Sequence, residues 1–454
     1  MYLLYSLLLT LGFIILIPRF LIDALRSGKY VTGLRQRLGQ VPAIDCEGRA
    51  VIWLHCVSVG EAEAARPLVR ALLDRFHNHR LVVSTTTVTG QRVARDAFGS
   101  DAAAIFYFPI DWAWAVRRTL RTLKASTVLI METELWPQLL RECRARQIPV
   151  LLLNGRISET SFRRYKLIQP FMRRVLNDLA MALMQSEQDA ARIRQLGLVN
   201  ERVLVPGNLK FDSAEMAIDP RVLAGFRERF GFDGTRPLLL AASTHAPEER
   251  VAVEAFKQVK DSQPGARARL LIAPRHPERF SEVAALLQSS GVTWTRRSNH
   301  PAAHDATCEV ILLDTIGELR SVYPLADVVF VGGSIAPHGG HNVLEPAASG
   351  VCVVTGPHTQ NFAAVTKSLL DENALVQLPV LPPSESSTEL SSVLIRLISD
   401  EAQRNEIGKR ALAVCKLNRG ATERTIQIIA NILAAPTTAE ESLPFPTLRV
   451  TAAK

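Results

Sequence analysis

The chain has 454 residues, room for two or three domains of ordinary size. Apolar residues make up 47% and charged residues 21%, a balance that sets disorder aside. The net charge of +9 suits an anionic partner such as a phospholipid or a phosphorylated substrate. Nucleic acid is not that partner, because the chain has no zinc-finger spacing, RNA-binding aromatic signature or long basic tail.

Residues 1–17 (MYLLYSLLLTLGFIILI) carry no charge. Crossing the hydrocarbon takes roughly 17–25 apolar residues, so 1–22 reads as one transmembrane helix. Arg19, Arg26, Lys29, Arg35 and Arg37 all follow the apolar run. By the positive-inside rule they put the body on the cytoplasmic side. A helix lying in the interface and a buried core helix are the other readings. No second run of this purity follows.

Beyond the anchor, strand-length apolar runs alternate with helical patterns. Strands are expected at 50–57, 81–86, 104–108, 127–131, 150–153, 181–184 and 202–205. A polar break near 212–220 reads as a linker. Strands resume at 237–242, 269–273, 309–313, 327–332 and 351–354. Near-continuous Val/Ile/Leu strands between helices indicate parallel sheets covered on both faces. The expected domains are an anchor (1–22), an α/β domain (23–211), a linker (212–236), a second α/β domain (237–433) and a disordered tail (434–454). Ligands of such sheets bind beyond the carboxyl ends of the strands, so loops of both halves can serve one cleft. Cys46, Cys56, Cys143, Cys308, Cys352 and Cys415 are scattered, without a CxxC pair, and read as reduced thiols.

The chemistry-bearing residues lie in the strand-end loops. In VSVGE (57–61), Glu61 begins a helix. A carboxylate there can take a proton from a hydroxyl. On residue type alone, a helix-start acid favoured by the dipole is the plainer reading. METELWP (131–137) places Glu132 and Glu134 at a strand end, without the aspartate pair or histidine that a metal would want. NGRIS (154–158) and NLKFD (208–212) follow, and Lys210 in the latter can offset charge on a leaving phosphate. APRHPERF (273–280) ends a strand at Pro274 and Arg275, whose guanidinium suits a phosphate. LDTIGE (313–318) offers the amides of Ile316, Gly317 and Glu318 to a nucleotide. The strongest local signal is GGSIAPHGGHNVLEP (332–346). Its glycines allow close backbone approach, so Gly333 and Ser334 are candidates to cradle a phosphate. Asn342 can cap the helix that continues through Val343 and Leu344, and Glu345 can accept from ribose hydroxyls.

Together these motifs, with WLHCVSVGE (53–61), resemble the 3-deoxy-D-manno-octulosonic acid (Kdo) transferases of lipid A assembly, over nearly all of 1–430. The resemblance implies a GT-B fold, two Rossmann-like domains facing a cleft, and an inverting transferase. It implies CMP-Kdo as donor, the phosphorylated, acylated glucosamine disaccharide lipid IVA as acceptor, an inner-membrane location, and neither cofactor nor metal. Glu61 matches the catalytic base, and Glu132 and Lys210 match positions that stabilise the transition state. Pro274 and Arg275, Ile316–Glu318 and Asn342–Glu345 match CMP-binding positions. The alternative is a GT-B transferase using a UDP-sugar and another lipid-linked acceptor.

Overall fold

A computed structural model describes residues 1–27, 32–57, 59–213, 218–263, 265–382 and 384–434, with backbone alone at 19–27 and 59. The chain divides into two compact units. One is Met1–Ser213 with Arg419–Lys454, and the other is Ala214–Asn418.

The first unit is built on a seven-stranded sheet. Its strands are β1 (Ala50–His55), β2 (His79–Thr85), β3 (Ala104–Tyr107), β4 (Ala125–Met131), β5 (Val150–Gly155), β6 (Met181–Met184) and β7 (Val203–Leu204). They pair in parallel in the order β3-β2-β1-β4-β5-β6-β7. Successive side chains of a strand point to opposite faces. Val51, Trp53, Val128 and Ile130 therefore fill one core, and Ile52, Leu54, Leu129 and Met131 fill the other. Both faces are covered, which is why these strands carry continuous apolar runs.

The second unit repeats the plan. Its strands are β8 (Leu238–Thr244), β9 (Arg269–Pro274), β10 (Trp294–Arg296), β11 (Val310–Leu312), β12 (Val328–Val331), β13 (Cys352–Thr355) and β14 (Val376–Gln377). The order is β10-β11-β9-β8-β12-β13-β14, again parallel. β10 and β14 were not expected from the sequence. Both are sheet edges of two or three residues, too short to show a period.

Two expected boundaries need correction. Within the expected linker, Pro220–Phe230 is a helix whose Phe226 and Phe230 are fully buried. Asp219 caps it by accepting from Arg221 N–H at 2.8 Å, Pro220 opens it, and Gly231 (φ 62°) closes it in the left-handed region. Secondly, the helix Ala421–Ala434, assigned to the second domain, belongs to the first unit. Its Ala421, Ile426 and Ile429 pack with Leu68, Leu72 and Leu209. The carboxylate of Asp212 accepts from Gly420 N–H at 2.8 Å and Thr422 N–H at 2.6 Å, tying the helix start to the NLKFD turn. Residues 214–217 of the linker, and the tail beyond 434, lie outside the described residues.

The N-terminal run is a helix, Tyr2–Ser27. Among the described residues no helix is long and apolar enough to cross a membrane, so the spanning anchor is not confirmed. One face of the helix is engaged by the first unit. Tyr2 hydroxyl bonds to Asp178, Tyr5 hydroxyl donates to Asp111 at 3.0 Å, Gln138 Nε2 donates to Ser6 Oγ at 2.6 Å, and Trp112 Nε1 donates to Thr10 Oγ1 at 3.1 Å. Phe13 meets Trp112 edge-on. Helical spacing puts these residues on a single stripe docked on the first unit. Leu3, Leu4, Leu7, Leu8, Leu11, Ile14 and Ile15 are exposed. The side chains of Arg19 and Arg26, and all of Lys29, lie outside the described residues.

Asp111 anchors this dock. It is buried and accepts from Gln138 and Leu139 N–H, both at 2.9 Å, at the start of the helix Pro137–Ala145, as well as from Tyr5. Burial pushes its carboxyl up to about 7, against the pull of those three donors. A carboxyl whose pKa is raised on folding stabilises the fold fully below its unfolded value, and that contribution is lost as pH rises through the folded value. The thermal midpoint of the wild type, measured relative to Asp111→Asn, should therefore fall from about pH 4 to about pH 7 and then level off. A difference independent of pH would show that Asp111 does not titrate in this window.

Candidate functional site

In each sheet the strands that follow a central pair lie to opposite sides of it, with β1 and β4 the pair in the first unit and β8 and β12 in the second. Crossovers on either side of such a pair leave in opposite directions, which opens a crevice at the strand carboxyl ends. Glu61 and Glu132 follow the strands of the first pair, and the 332–346 turn follows β12 of the second.

In the first unit, Glu61 stands in the opening turn of the helix Val59–Arg75, which follows β1. It is buried, and its Oε2 accepts from Val57 N–H at 2.8 Å. Glu132 directly follows β4 with φ +54°, a left-handed conformation uncommon for a non-glycine residue. Its Oε1 lies 3.0 Å from Nζ of Lys210. Fully buried Cys56 has its thiol pushed far up, first by burial and then by the charges of Glu61 and Glu132. Both carboxylates are therefore its neighbours. Burial, then the charge of Glu132, also raises the carboxyl of Glu134.

A side-chain amide chain holds the turn that carries Lys210. Asn154, at the end of β5 with φ +52°, accepts from Leu209 N–H at 3.0 Å. Asn208 Oδ1 accepts from Lys210 N–H at 3.0 Å, and its Nδ2 donates to Gln185 Oε1 at 3.1 Å. Gln185 Nε2 closes the circuit on Asn154 carbonyl at 3.0 Å. Gln185 belongs to no sequence motif. Its only signal is its place directly after β6.

The second unit gathers histidines. Nε2 atoms of His245 and His341 are 2.7 Å apart, the His338 ring stacks on His245 at 4.5 Å, and His276 meets it edge-on at 5.0 Å. Burial, then the neighbouring His338, His276 and Arg275, holds His245 down to about 4. Burial, then His245 and Arg275, takes His341 to about 3. Both are neutral at neutral pH. His245, outside every motif quoted above, was missed. Arg275 follows Pro274, the last residue of β9, and its side chain is exposed.

Other predicted donor residues are tied inward. Glu318 is held by Arg297 through bonds of 3.1 and 2.7 Å and by the Thr315 hydroxyl, while Ile316 is 80% exposed beside Gly317 (φ +89°). Asn342 does not cap the helix Leu344–Ala348, whose N-cap is Val343; its Oδ1 accepts from Leu344 N–H at 3.0 Å in a local turn. Its Nδ2 donates to Glu345, which also pairs with Arg320 at 2.8 Å. Val343 and Leu344 are core side chains. Gly333 and Ser334 need correction: their N–H groups donate to Glu248 at 2.6 and 2.8 Å and are not turned to a phosphate. The buried Ser334 hydroxyl is likewise engaged, donating to Val331 carbonyl and accepting from Gly356 N–H.

Residues 32–213 match the family model described as 3-Deoxy-D-manno-octulosonic-acid transferase (kdotransferase). The 3-deoxy-D-manno-octulosonic acid transferase of Haemophilus influenzae is 32% identical over 89% of this chain and 92% of its own. That of Bordetella pertussis is 35% identical over 85% and 88%. The chain belongs to the Kdo transferase family. It is a glycosyltransferase. Its fold is also that of a Rickettsia africae ESF-5 glycosyltransferase (TM-score 0.56, 13% identical, covering 86% of this chain and 100% of that one). S. aureus MnaA, solved with UDP, is similar at TM-score 0.56 and 15% identity over 86% and 98%. Two parallel α/β units fit the GT-B fold.

In this transferase Lys210 and Glu132 are both largely buried, with side chains 11% and 15% exposed. Lys210→Met leaves that carboxylate without its partner and should cost up to about 3 kcal/mol of unfolding free energy. Adding Glu132→Gln should return part of the loss, because the stranded charge is removed. Urea unfolding of both single variants and the double variant measures the coupling, and strict additivity would mean that the pair does not interact.

Proposed function

We propose that this transferase moves Kdo from CMP-Kdo to lipid IVA, with inversion and with Glu61 as general base. The observation that carries the proposal is the grouping of buried Glu61 with the Glu132–Lys210 pair at the switch point of a Kdo transferase. Glu61 takes the proton from a glucosamine hydroxyl. That oxygen forms a bond to the anomeric carbon of Kdo while the bond to the CMP phosphate breaks, and CMP leaves with the electron pair. One displacement on the face opposite the leaving group inverts the centre. Arg275 and Lys210 balance the charge that develops on the phosphate. With the amides of Gly333 and Ser334 already engaged, donor recognition falls to Pro274 and Arg275, to 316–318 and to 342–345.

Glu61→Gln keeps the shape of the side chain and removes its basicity. It should lower transfer by about a hundredfold or more, the usual share of a general base, while leaving CMP affinity unchanged. The assay uses CMP-Kdo with lipid IVA and reads the products by mass. Turnover near that of the wild type would remove Glu61 from the role.

The same proposal places the enzyme at the cytoplasmic face of the inner membrane. The outward leucines of Tyr2–Ser27, on a chain of net charge +9, suit a helix lying in an anionic interface. Leu7→Glu with Leu11→Glu should release the protein from vesicles containing anionic lipid, read by co-sedimentation, without altering CMP binding. Full retention on the vesicles would put the membrane contact elsewhere.

A further inference from the structure

Glu248 is fully buried, and no Lys or Arg pairs with it among the described residues. It opens the helix Glu248–Asp261. Its Oε2 accepts from His245 N–H at 3.0 Å and Gly333 N–H at 2.6 Å, and its Oε1 accepts from Ser334 and Ile335 N–H, both at 2.8 Å. A carboxylate has about four lone-pair sites, and here each meets one backbone donor. The donors come from two separate turns, those following β8 and β12, the pair that flanks the switch point of the second sheet.

The backbone is shaped around this carboxylate. Ser243 takes φ +53°, and the β8–β9 register shifts between Ala242 and Thr244. Those features carry His245 N–H to Glu248. A Cβ on Gly332 would stand 2.6 Å from Glu248 Oε2 and 2.8 Å from Thr244 Cα, so only glycine lets the second turn come this close. The turn then passes the constraint onward. Gly340 N–H donates to Gly333 carbonyl at 2.7 Å and His341 N–H to Gly332 carbonyl at 3.2 Å, immediately before Asn342.

We propose that Glu248 is a positioning residue for the donor: by gathering these four N–H groups it fixes the 332–335 turn and, through it, the 342–345 segment that meets CMP. The proposal rests on the donor assignment made above for the second unit. Glu248 itself touches no substrate. A carboxamide cannot replace it, because its NH2 group would face N–H donors and leave some of them buried and unpaired.

The test is Glu248→Gln in the full chain, with Glu254→Gln, on the exposed side of the same helix, as control. Glu248→Gln should raise the KM for CMP-Kdo and the calorimetric Kd for CMP by at least about tenfold, since a buried donor left unpaired would shift the turn. The kcat at saturating donor and the KM for lipid IVA should stay within about threefold of wild type, and Glu254→Gln should change none of the four. A role in stability alone would lower the unfolding midpoint without separating KM from kcat. If Glu248→Gln does not fold, Glu248→Asp, which keeps both oxygens but stops one methylene short, carries the same comparison. Wild-type CMP affinity in the folded variant overturns the inference alone. Absence of CMP binding by the wild-type chain overturns the donor assignment and this inference with it.

Discussion

Parallel sheets impose one constraint on both units of this enzyme. Where the chain reverses its direction of winding, two neighbouring strands end without a crossover packed over the gap, and the backbone groups of their turns need partners. Three of the buried acids answer that need or use the space it creates. In the first unit Glu61 and Glu132 follow the two central strands. In the second, Glu248 spans the turns of the corresponding pair.

Buried acids consequently fall into two kinds. Glu248 has both oxygens consumed by backbone donors, as does Asp111 at the start of Pro137–Ala145, and Asp212 does similar work for Ala421–Ala434. Such a carboxylate is a fixture, because moving it would strand several N–H groups at once. Glu132 is different, as it faces a lysine rather than a row of amides. Glu61 combines both characters. Its bond from Val57 orients it as a helix-start acid, and its position beside Cys56 and near Glu132 is where the proposed reaction wants a proton acceptor. Structural acid and reactive acid are the two readings of this residue; the bond from Val57 N–H fits the first, and the proposed function adds the second.

The strands of both cores were legible because burial on two faces demands Val, Ile and Leu at consecutive positions, a pattern that survives in one dimension. β10 (Trp-Thr-Arg) and β14 (Val-Gln) were not, since these short edges are mixed with polar residues, whereas the equally short β7 lies in the apolar run Val203–Val205. The helix Pro220–Phe230 carried readable signals in Asp219, Pro220 and Gly231, but the polarity of its surroundings masked them. The return of Ala421–Ala434 to the first unit could not be read, because its apolar stripe fits either core and Asp212, its cap, is far away in sequence. The same limit explains the donor turn. Glycines at 332 and 333 announce close approach, yet they do not say whether a phosphate or a protein carboxylate does the approaching. Here Glu248 does.

The N-terminal helix carries a period within its apolar run. Seventeen uncharged residues satisfy the length for a bilayer, but the polar atoms among them are not scattered. Tyr2, Tyr5, Ser6 and Thr10 fall at intervals of three, one and four, a single face at 3.6 residues per turn. In hydrocarbon that face would have to satisfy its hydroxyls with nothing but its own backbone. Against the first unit it finds Asp178, Asp111, Gln138 and Trp112. The opposite face offers leucine and isoleucine throughout, so the helix has a protein side and an apolar side. Such asymmetry gives the helix one face whose polar atoms are met by protein and one made of apolar side chains.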